Sequence, residues 1–308
     1  MDYRLIMRLT QPLLGHGIWI IAIALAVTEV LHANDAYTSN SMVKQLVTEG
    51  LVISSNKKIP LTAPLVLDSM TSKEQEAAIA PIGEKVGLER FYKNSAVSPY
   101  VLEIETADKL DDGSQIQRVD VWFVAYGSLH AMEDKKLLND LSSEQKKSKS
   151  GFPEGFREFT EPELLKYQMG PIANTESMKT IFGSLESMVL DRVHLAIVTR
   201  SLATRTEESV CQGTMIEQSA AAKNQLPCRW CPIQRDELGN ETLGAPEDYS
   251  GAASYLKVTH LKHLEGALLI EMHVLFAEPQ GWFNGRNLLR SKLPLLIQDG
   301  VRQFRRKL

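Results

Sequence analysis

The sequence predicts an α+β protein in which an antiparallel β-sheet carries a long C-terminal helix packed across it. Two observations lead to this fold class. Residues 255–276 contain two segments of alternating apolar residues joined by a short turn with a glycine, which is the pattern of a β-hairpin. Residues 289–308 repeat apolar side chains at helical spacing, so an amphipathic helix should follow the hairpin.

The hairpin strands are predicted at residues 255–261 and 267–276, with Lys262–Gly266 as the turn. Strand side chains repeat every two residues, so each strand presents two faces. The face predicted to join the core carries Leu256, Val258, Leu268, Ile270, Met272, Val274 and Phe276. The face predicted to be wetter carries Tyr255, Lys257, Thr259, Glu271 and His273. Such a sheet is covered on one side only.

The length of the turn also predicts the register of the hairpin. Val258 should face Ile270 on the core side, and Lys257 should face Glu271 on the wetter side. Glu271 and His273 share a face two residues apart, which would also suit a metal or an acid–base pair. We predict a salt bridge on a wet face there, and no metal.

The bend between the hairpin and the helix has a sequence that resembles part of a known fold. The run EPQGWFNGRNLLRSKLP, residues 278–294, resembles the approach to the final helix of the helix-grip fold, the fold of START and polyketide-cyclase-like proteins. The resemblance covers the C-terminal unit and implies that the last helix closes a hydrophobic cavity. The whole chain also resembles an uncharacterised family of exported bacterial proteins, through VWFVAYG at 121–127 and WFNGRNLLRSKLP at 282–294.

The N-terminus has the pattern of a secretory signal peptide. Arg4 and Arg8 precede the apolar run IWIIAIALAV at 18–27, and Ala33 supplies a small residue for cleavage. Residues 1–33 should therefore be removed, leaving a periplasmic or cell-envelope protein that begins near Asn34. An uncleaved anchor is the alternative, and in either case membrane contact is expected through this segment only.

The remaining chain divides around a polar stretch. We predict an N-terminal α+β part at 34–141, a linker at 142–151 (SSEQKKSKSG), and a C-terminal sheet with its helix at 152–308. Patterning and turn residues place the other elements as follows. Helices are expected at 42–49, 71–80, 132–141 and 163–168, the second with a capping box, and strands at 51–54, 97–105, 119–126, 185–201 and 208–217.

Residues 218–252 show no periodicity, and an irregular stretch of that length inside a compact domain suggests a functional loop such as a lid. Together with the bend before the last helix, it holds most of the large aromatic residues near the C-terminus. The predicted ligand-binding residues, in a pocket or its lid, are Trp230, Tyr249, Trp282 and Phe283.

The three cysteines, Cys211, Cys228 and Cys231, suggest a disulfide, because an exported protein folds in an oxidising compartment. Their spacing leaves the pairing open: Cys211 with either partner, or Cys228 with Cys231. A Cys₃His zinc site is the alternative, but the ligands lack a second closely spaced pair, so we predict no zinc.

Composition and motifs reduce the number of plausible function classes but do not identify one function. The chain of 308 residues is 44% hydrophobic with a net charge of −4, which gives no reason to expect nucleic acid binding. No catalytic motif and no cofactor-binding loop stands out. We expect a binding module for a lipid or other apolar small molecule. The alternatives are a structural or interaction protein of the cell envelope, and an enzyme of cyclase or hydrolase type.

Overall fold

The computed structural model describes residues 35–53, 57–130, 152, 154–169, 172, 174–283 and 288–308. The predicted signal peptide, the predicted helix at 132–141 and the predicted linker at 142–151 lie outside these residues. No helix in the described part of the chain is long and apolar enough to cross a membrane.

An antiparallel sheet of 11 strands forms the centre of the described structure. Two short strands, β1 (Leu51–Val52) and β2 (Lys58–Ile59), pair with each other outside it. The strands of the large sheet are β3 (Val101–Lys109), β4 (Gln115–Tyr126), β5 (Gly155–Glu158), β6 (Met178–Val189), β7 (Val193–Arg205), β8 (Ser209–Ile216), β9 (Arg229–Arg235), β10 (Glu241–Leu243), β11 (Glu247–Asp248), β12 (Ala252–His260) and β13 (Ala267–Glu278). Its main path runs β10-β9-β7-β8-β12-β13-β4-β3, while β6 pairs with β7 and β5, and β11 pairs with β9. Strands from both predicted parts of the chain share the large sheet, because β4 pairs with β13.

Helices cover the sheet on both sides. They are α1 (Ala36–Ser39), α2 (Ser41–Thr48), α3 (Ser72–Gly83), α4 (Leu88–Phe91), α5 (Glu161–Lys166), α6 (Gln218–Lys223) and α7 (Leu288–Lys307), with a 3-10 turn at Glu84–Val86. The predicted capping box at the start of α3 is present, with Thr71 and Glu74 each bonding the backbone of the other. The predicted fold class, an antiparallel sheet with a long C-terminal helix packed across it, is confirmed.

The predicted hairpin register is confirmed. Val258 faces Ile270 and Lys257 faces Glu271. The pairing closes where the turn begins, since the Leu261 N–H donates to the Ala267 carbonyl at 2.9 Å. The hairpin register therefore followed from local turn length and strand alternation alone.

The prediction of one wet face is wrong, because both faces of the hairpin are buried. Glu271 and His273 are 0% exposed, while Ile270 on the opposite side is 1% exposed. One face, here called the helix face, packs against α7. The other, here called the strap face, is covered by α1, α2 and a segment without regular secondary structure at residues 60–70, here called the strap.

Residues 218–252 also differ from prediction, because they are not irregular. They contain α6 and three strands, of which β9 pairs with β7 in the large sheet. Pro232 lies inside β9, and β10 and β11 are too short to show alternation. Proline within a short run normally argues against a strand, so the pattern concealed this one.

Helix α7 is fixed to the sheet by its apolar stripe and by one arginine. The stripe consists of Leu289, Leu293, Ile297, Val301 and Phe304, all buried in the main core. The rings of Phe304 and Phe123 meet edge to face at 5.5 Å. Arg305 lies over the Phe123 ring and donates from Nε to the Val124 carbonyl at 2.8 Å. Burial lowers the pKa of Arg305 to about 10, which still leaves it charged at neutral pH.

Replacing Ile270 with aspartate should abolish soluble expression, because the side chain lies between Val258 and Phe123 in a buried cross-strand row. An uncompensated carboxylate there would cost several kcal/mol, comparable to the whole stability of a domain. The matched control is Leu295→Asp on α7, where the side chain is 58% exposed and the expected change is within about 0.5 kcal/mol. A soluble Ile270→Asp protein that unfolds cooperatively would contradict the burial of this row.

Candidate functional site

The helix face of the central strands forms a long apolar row. Read across the sheet, the row runs from Leu102 on β3 through Val121, Met272 and Leu256 to Gln212 on β8. Four strand-to-strand spacings of about 4.8 Å give it a length of roughly 19 Å. The row is apolar for most of its length and polar at one end.

Part of this row and of the row beside it retains accessible surface at the centre of the sheet, whereas Val121 in the same row is 0% exposed. Leu256, Met272 and Val274 are each 7% exposed. On the strap face of the same two strands, Lys257 and Glu271 are 0% exposed. Central strands are far from the sheet edge, so this residual surface marks incomplete cover of the helix face at these positions. The opposite face has no comparable accessible surface there.

Polar side chains occupy one end of the apolar row. They are here called the polar patch and comprise Ser201, Gln212, Thr214 and Ser254, on the adjacent strands β7, β8 and β12. The hydroxyls of Ser201 and Thr214 bond each other at 2.7 Å. The Ser254 hydroxyl and the Gln212 amide oxygen are buried and have no partner. Buried polar atoms are normally paired, so these two are open positions for a hydrogen bond.

The four aromatic residues predicted as ligand-binding lie in one cluster. The Tyr249 and Trp282 rings stack at 5.5 Å, and Trp282 also contacts Trp230 at 6.5 Å and Phe283 at 6.0 Å, edge to face. All four are buried in the main core, and Trp230 faces the helix side of the sheet because it pairs with Leu195 on β7. Gly281 allows this packing, because a Cβ there would lie 2.8 Å from the Trp230 ring. Whether the cluster binds a ligand stays a prediction.

A groove of about 460 Å³ opens beside α7 at the edge strand β3. It is lined by Lys85, Val86, Tyr100, Leu102, Glu103 and Gln298, among others. Leu102 belongs both to this groove and to the apolar row. The Tyr100 hydroxyl donates to the Pro294 carbonyl at 3.1 Å, which ties the helix to the wall of the groove. The groove therefore leads from solvent to the outer end of the row.

The strap face carries a second polar cluster, in which Lys257 lies between two carboxylates. Lys257 Nζ is 3.1 Å from Asp35 Oδ2 and 3.4 Å from Asp68 Oδ1, and it also donates to the Val66 carbonyl. Asp68 accepts from the hydroxyls of Thr206 at 2.6 Å and of Ser209 at 2.9 Å. Burial acts to raise the pKa of Asp68, but Lys257 and these hydroxyls outweigh it and hold that pKa below its usual range.

Glu271 and His273 lie beside this cluster. Glu271 accepts from the backbone N–H of Leu65 at 2.7 Å, and full burial raises the pKa of Glu271 although Lys257 and this N–H act to lower it. His273 Nδ1 is 2.6 Å from Asp120 Oδ1, and Asp120 in turn accepts from the Thr62 hydroxyl at 2.9 Å. These side chains therefore hold the strap to the sheet.

The sequence of the strap explains why its backbone groups bond side chains of the sheet. Pro60 and Pro64 exclude it from a helix or a central strand, so its backbone N–H and carbonyl groups must bond elsewhere. Lys257, Glu271 and the Tyr255 hydroxyl, which donates to the Thr62 carbonyl at 2.6 Å, supply those bonds. The strap-face cluster is thus explained by structure: Glu271 and His273 are 0% exposed, and Asp68, which keeps 11% of its side chain accessible, bonds neighbouring protein groups.

The structure does not join the cysteines predicted to form a disulfide: Cys211, Cys228 and Cys231 are all free thiols. Cys211 and Cys231 face β7 at Thr204 and His194, ten residues apart on one strand and so about 33 Å along it. Cys228 and Cys231 lie on an extended backbone, where residues three apart point to opposite faces. Burial raises the pKa of Cys228 to about 11, which keeps the thiol protonated.

Sequence reasoning missed the polar patch and the partners of Lys257. Ser201, Thr214 and Ser254 look like ordinary strand residues, and only the strand order brings them together. Asp35 and Asp68 lie in loops far from Lys257 along the chain. The one local signal was a lysine between apolar residues in a predicted strand. In the part of the chain that the structure describes, no group of three or more His, Cys, Asp or Glu side chains is placed to hold a metal.

Comparisons with known proteins give only distant likenesses. No protein-family model and no curated protein sequence matches this chain. Among solved structures, the chain is similar to human STARD10, with a TM-score of 0.34 and 6% identity over 67% of this chain and 72% of that chain. It is similar to the human StarD13 (DLC2) lipid transfer and protein localization domain, with a TM-score of 0.32 and 10% identity over 74% and 95%. The di-domain ARO/CYC StfQ from the steffimycin biosynthetic pathway has a TM-score of 0.21 and 11% identity over 74% and 94%.

Replacing Lys257 with methionine should lower the free energy of unfolding by about 3–5 kcal/mol, because Asp35 and Asp68 would stay buried without a counter-charge. Urea denaturation at neutral pH measures the change. The control is Lys58→Met, whose surface pair with Glu49 should contribute less than about 1 kcal/mol. Equal effects of the two substitutions would show that the strap-face cluster does not stabilise the fold.

Replacing Glu271 with glutamine should change the pH dependence of stability. Because the folded state raises the pKa of Glu271 above 4.5, the wild type loses stability as pH rises through the folded pKa, and the variant does not. The stability difference should therefore move in favour of Glu271→Gln between about pH 4 and about pH 7. Urea denaturation at both pH values tests this, and a difference that does not change with pH would contradict it.

Proposed function

We propose that this protein is an exported binding module that holds an apolar small molecule against the helix face of its sheet. The observation that carries the proposal is the accessible surface on Leu256, Met272 and Val274, which lie at the centre of the sheet and beneath covering elements. A purely structural core would close over central strands, as it does on the strap face. Apolar surface that stays accessible inside a fold is a feature of ligand sites.

The surroundings of this space support the same function. The row that contains Leu256 and Met272 ends at the groove beside α7, whose volume of about 460 Å³ lies within the usual range of about 300–1,000 Å³ for small-molecule sites. Buried aromatic rings around Trp282 lie on the same side of the sheet and offer large apolar contact area. The groove would admit the ligand and the row would hold it.

The distribution of charge favours binding over catalysis. Catalytic acids and bases need contact with the substrate. Here His273, Asp120 and Glu271 are on the strap face, separated from the proposed space by the sheet itself, and they bond the strap. The side chains that floor the space are mostly apolar. This arrangement suits holding a molecule more than transforming it.

Export is part of the proposal and is motivated by the N-terminal sequence. Arg4 and Arg8 followed by a short apolar run and Ala33 have the pattern of a cleaved signal peptide. A carrier of apolar molecules in the periplasm or cell envelope would have a use for a solvent-shielded binding space, because such molecules partition poorly into water.

Purified protein from the native compartment should carry a co-purifying apolar molecule, which solvent extraction and mass spectrometry would identify. Leu256→Phe should reduce the recovered amount several-fold, because the larger ring fills the space on the central strands. The control is Leu295→Phe, the same enlargement at an exposed position of α7, which should leave recovery unchanged.

The intact mass of the same purified protein, measured separately, gives the N-terminus, expected near Asn34. Protein that carries no extractable molecule, and that takes up no long-chain hydrocarbon or alcohol when these are supplied, would overturn the binding function. A mature chain that still begins at Met1 and stays in the cytosol would overturn export.

A further inference from the structure

We propose that the polar patch formed by Ser201, Gln212, Thr214 and Ser254 binds the uncharged head of a long-chain ligand that both donates and accepts hydrogen bonds, such as an alcohol. This inference rests on the proposed function and specifies the chemical class of the ligand. The apolar row would take the chain, and the patch at its inner end would take the head.

The patch contains hydrogen-bonding capacity that the protein itself does not use. Ser254 is 1% exposed and Gln212 is 5% exposed, and neither the Ser254 hydroxyl nor the Gln212 amide oxygen has a partner. Leaving such groups unpaired in a core is unfavourable. Both atoms belong to the helix face, in adjacent register rows of the neighbouring strands β8 and β12. A ligand that donates to the amide oxygen and accepts from the hydroxyl would pair both.

The dimensions favour a long chain over a compact ligand. From Leu102 at the groove to Gln212 at the patch, the row crosses β4, β13 and β12, a distance of roughly 19 Å. Every side chain before Gln212 in this row is apolar. A molecule that reaches from the groove to the patch is therefore extended, with a single polar end, and it displaces the packing over Val121, which is 0% exposed.

The chemistry of the patch favours an uncharged head. Its four side chains are hydroxyls and an amide, and burying an ion there would lack a counter-charge within the patch. The nearest basic positions on the helix face by register are Arg205, paired with Val210 on β8, and Lys179, paired with Ala203 on β7. They occupy neighbouring register positions outside the patch. An anionic head would have to bind toward Arg205 and would leave the patch atoms unpaired.

The test compares three probes of equal chain length, hexadecanol, hexadecane and hexadecanoate, delivered from cyclodextrin to the delipidated mature protein and measured by equilibrium dialysis. Wild-type protein should bind hexadecanol at least about tenfold more tightly than either of the others. Ser254→Ala and Gln212→Leu should each reduce that preference by about three- to tenfold while leaving hexadecane affinity unchanged.

Thr259→Val is the matched control for Ser254→Ala. Thr259 is also on β12, is also buried and also has a hydroxyl without a partner, but it lies on the strap face. Its substitution should leave the preference for hexadecanol unchanged. A second readout is thermal stability: Ser254→Ala should not lower the Tm of ligand-free protein, because the hydroxyl makes no bond there, but it should reduce the rise in Tm that hexadecanol produces.

Each outcome separates this inference from the proposed function. If no probe binds, the proposed function fails. If hexadecane and hexadecanol bind equally, the binding space stands but the patch is not a head-group site. If hexadecanoate binds most tightly and Arg205→Ala removes that binding, the ligand is anionic and the uncharged class is wrong. If Thr259→Val weakens hexadecanol binding as much as Ser254→Ala does, the effect is not specific to the helix face.

Discussion

A lysine buried at the centre of the sheet, between two aspartates, is the interaction on which the rest of the structure depends. Lys257 is 0% exposed, so its charge is tolerable only because Asp35 and Asp68 stand beside it. Both aspartates come from segments that precede the first long strand. The ion pairs of Lys257 with these aspartates therefore hold the N-terminal segments on the sheet. The strap packs there too, because Lys257 and Glu271 bond its backbone.

The two faces of the sheet differ in their charged groups and in how completely their central strands are covered. On the strap face, charged groups find partners in the strap and in α1, and the central strands there have no accessible surface. On the helix face, apolar side chains predominate, yet a little surface stays accessible and the hydroxyl of Ser254 has no partner. A face whose charged groups are paired and whose central strands are closed supports the fold, even though the Thr259 hydroxyl there has no partner, whereas a face with accessible apolar surface and open hydrogen-bonding positions is suited to a ligand.

Several separate contacts fix the elements that cover the helix face. Arg305 bonds the end of β4, Tyr100 bonds the carbonyl of Pro294, and Phe304 packs on Phe123. These contacts lie toward the β3 and β4 side of the sheet, while the aromatic cluster around Trp282 lies on its helix side near β9 and β11. The row through Met272 and Leu256 runs between them. Rigid supports on either side can keep a central space open without a large cost in packing, because the surrounding core stays dense.

Local sequence patterns correctly predicted those parts of the structure in which residues close along the chain are also close in space. The hairpin register from Val258 to Ile270, the capping box at Thr71 and the apolar stripe of α7 all follow from turn length or periodicity, and the structure agrees with each. Pro232 shows the limit of such reasoning, since β9 forms through pairing with β7 in spite of its composition.

By itself, the sequence determined the fold class, the hairpin register and the set of four aromatic residues that gather around Trp282. Only the tertiary structure decided that Glu271 and His273 are buried, because burial of a strand face depends on which segments pack against it. The segments that cover this face lie about two hundred residues earlier in the chain, as the separation of 222 residues between Asp35 and Lys257 shows. The tertiary structure also determined which residues form the polar patch. Ser201, Thr214 and Ser254 become neighbours through strand order, which long-range pairing sets and local periodicity does not encode.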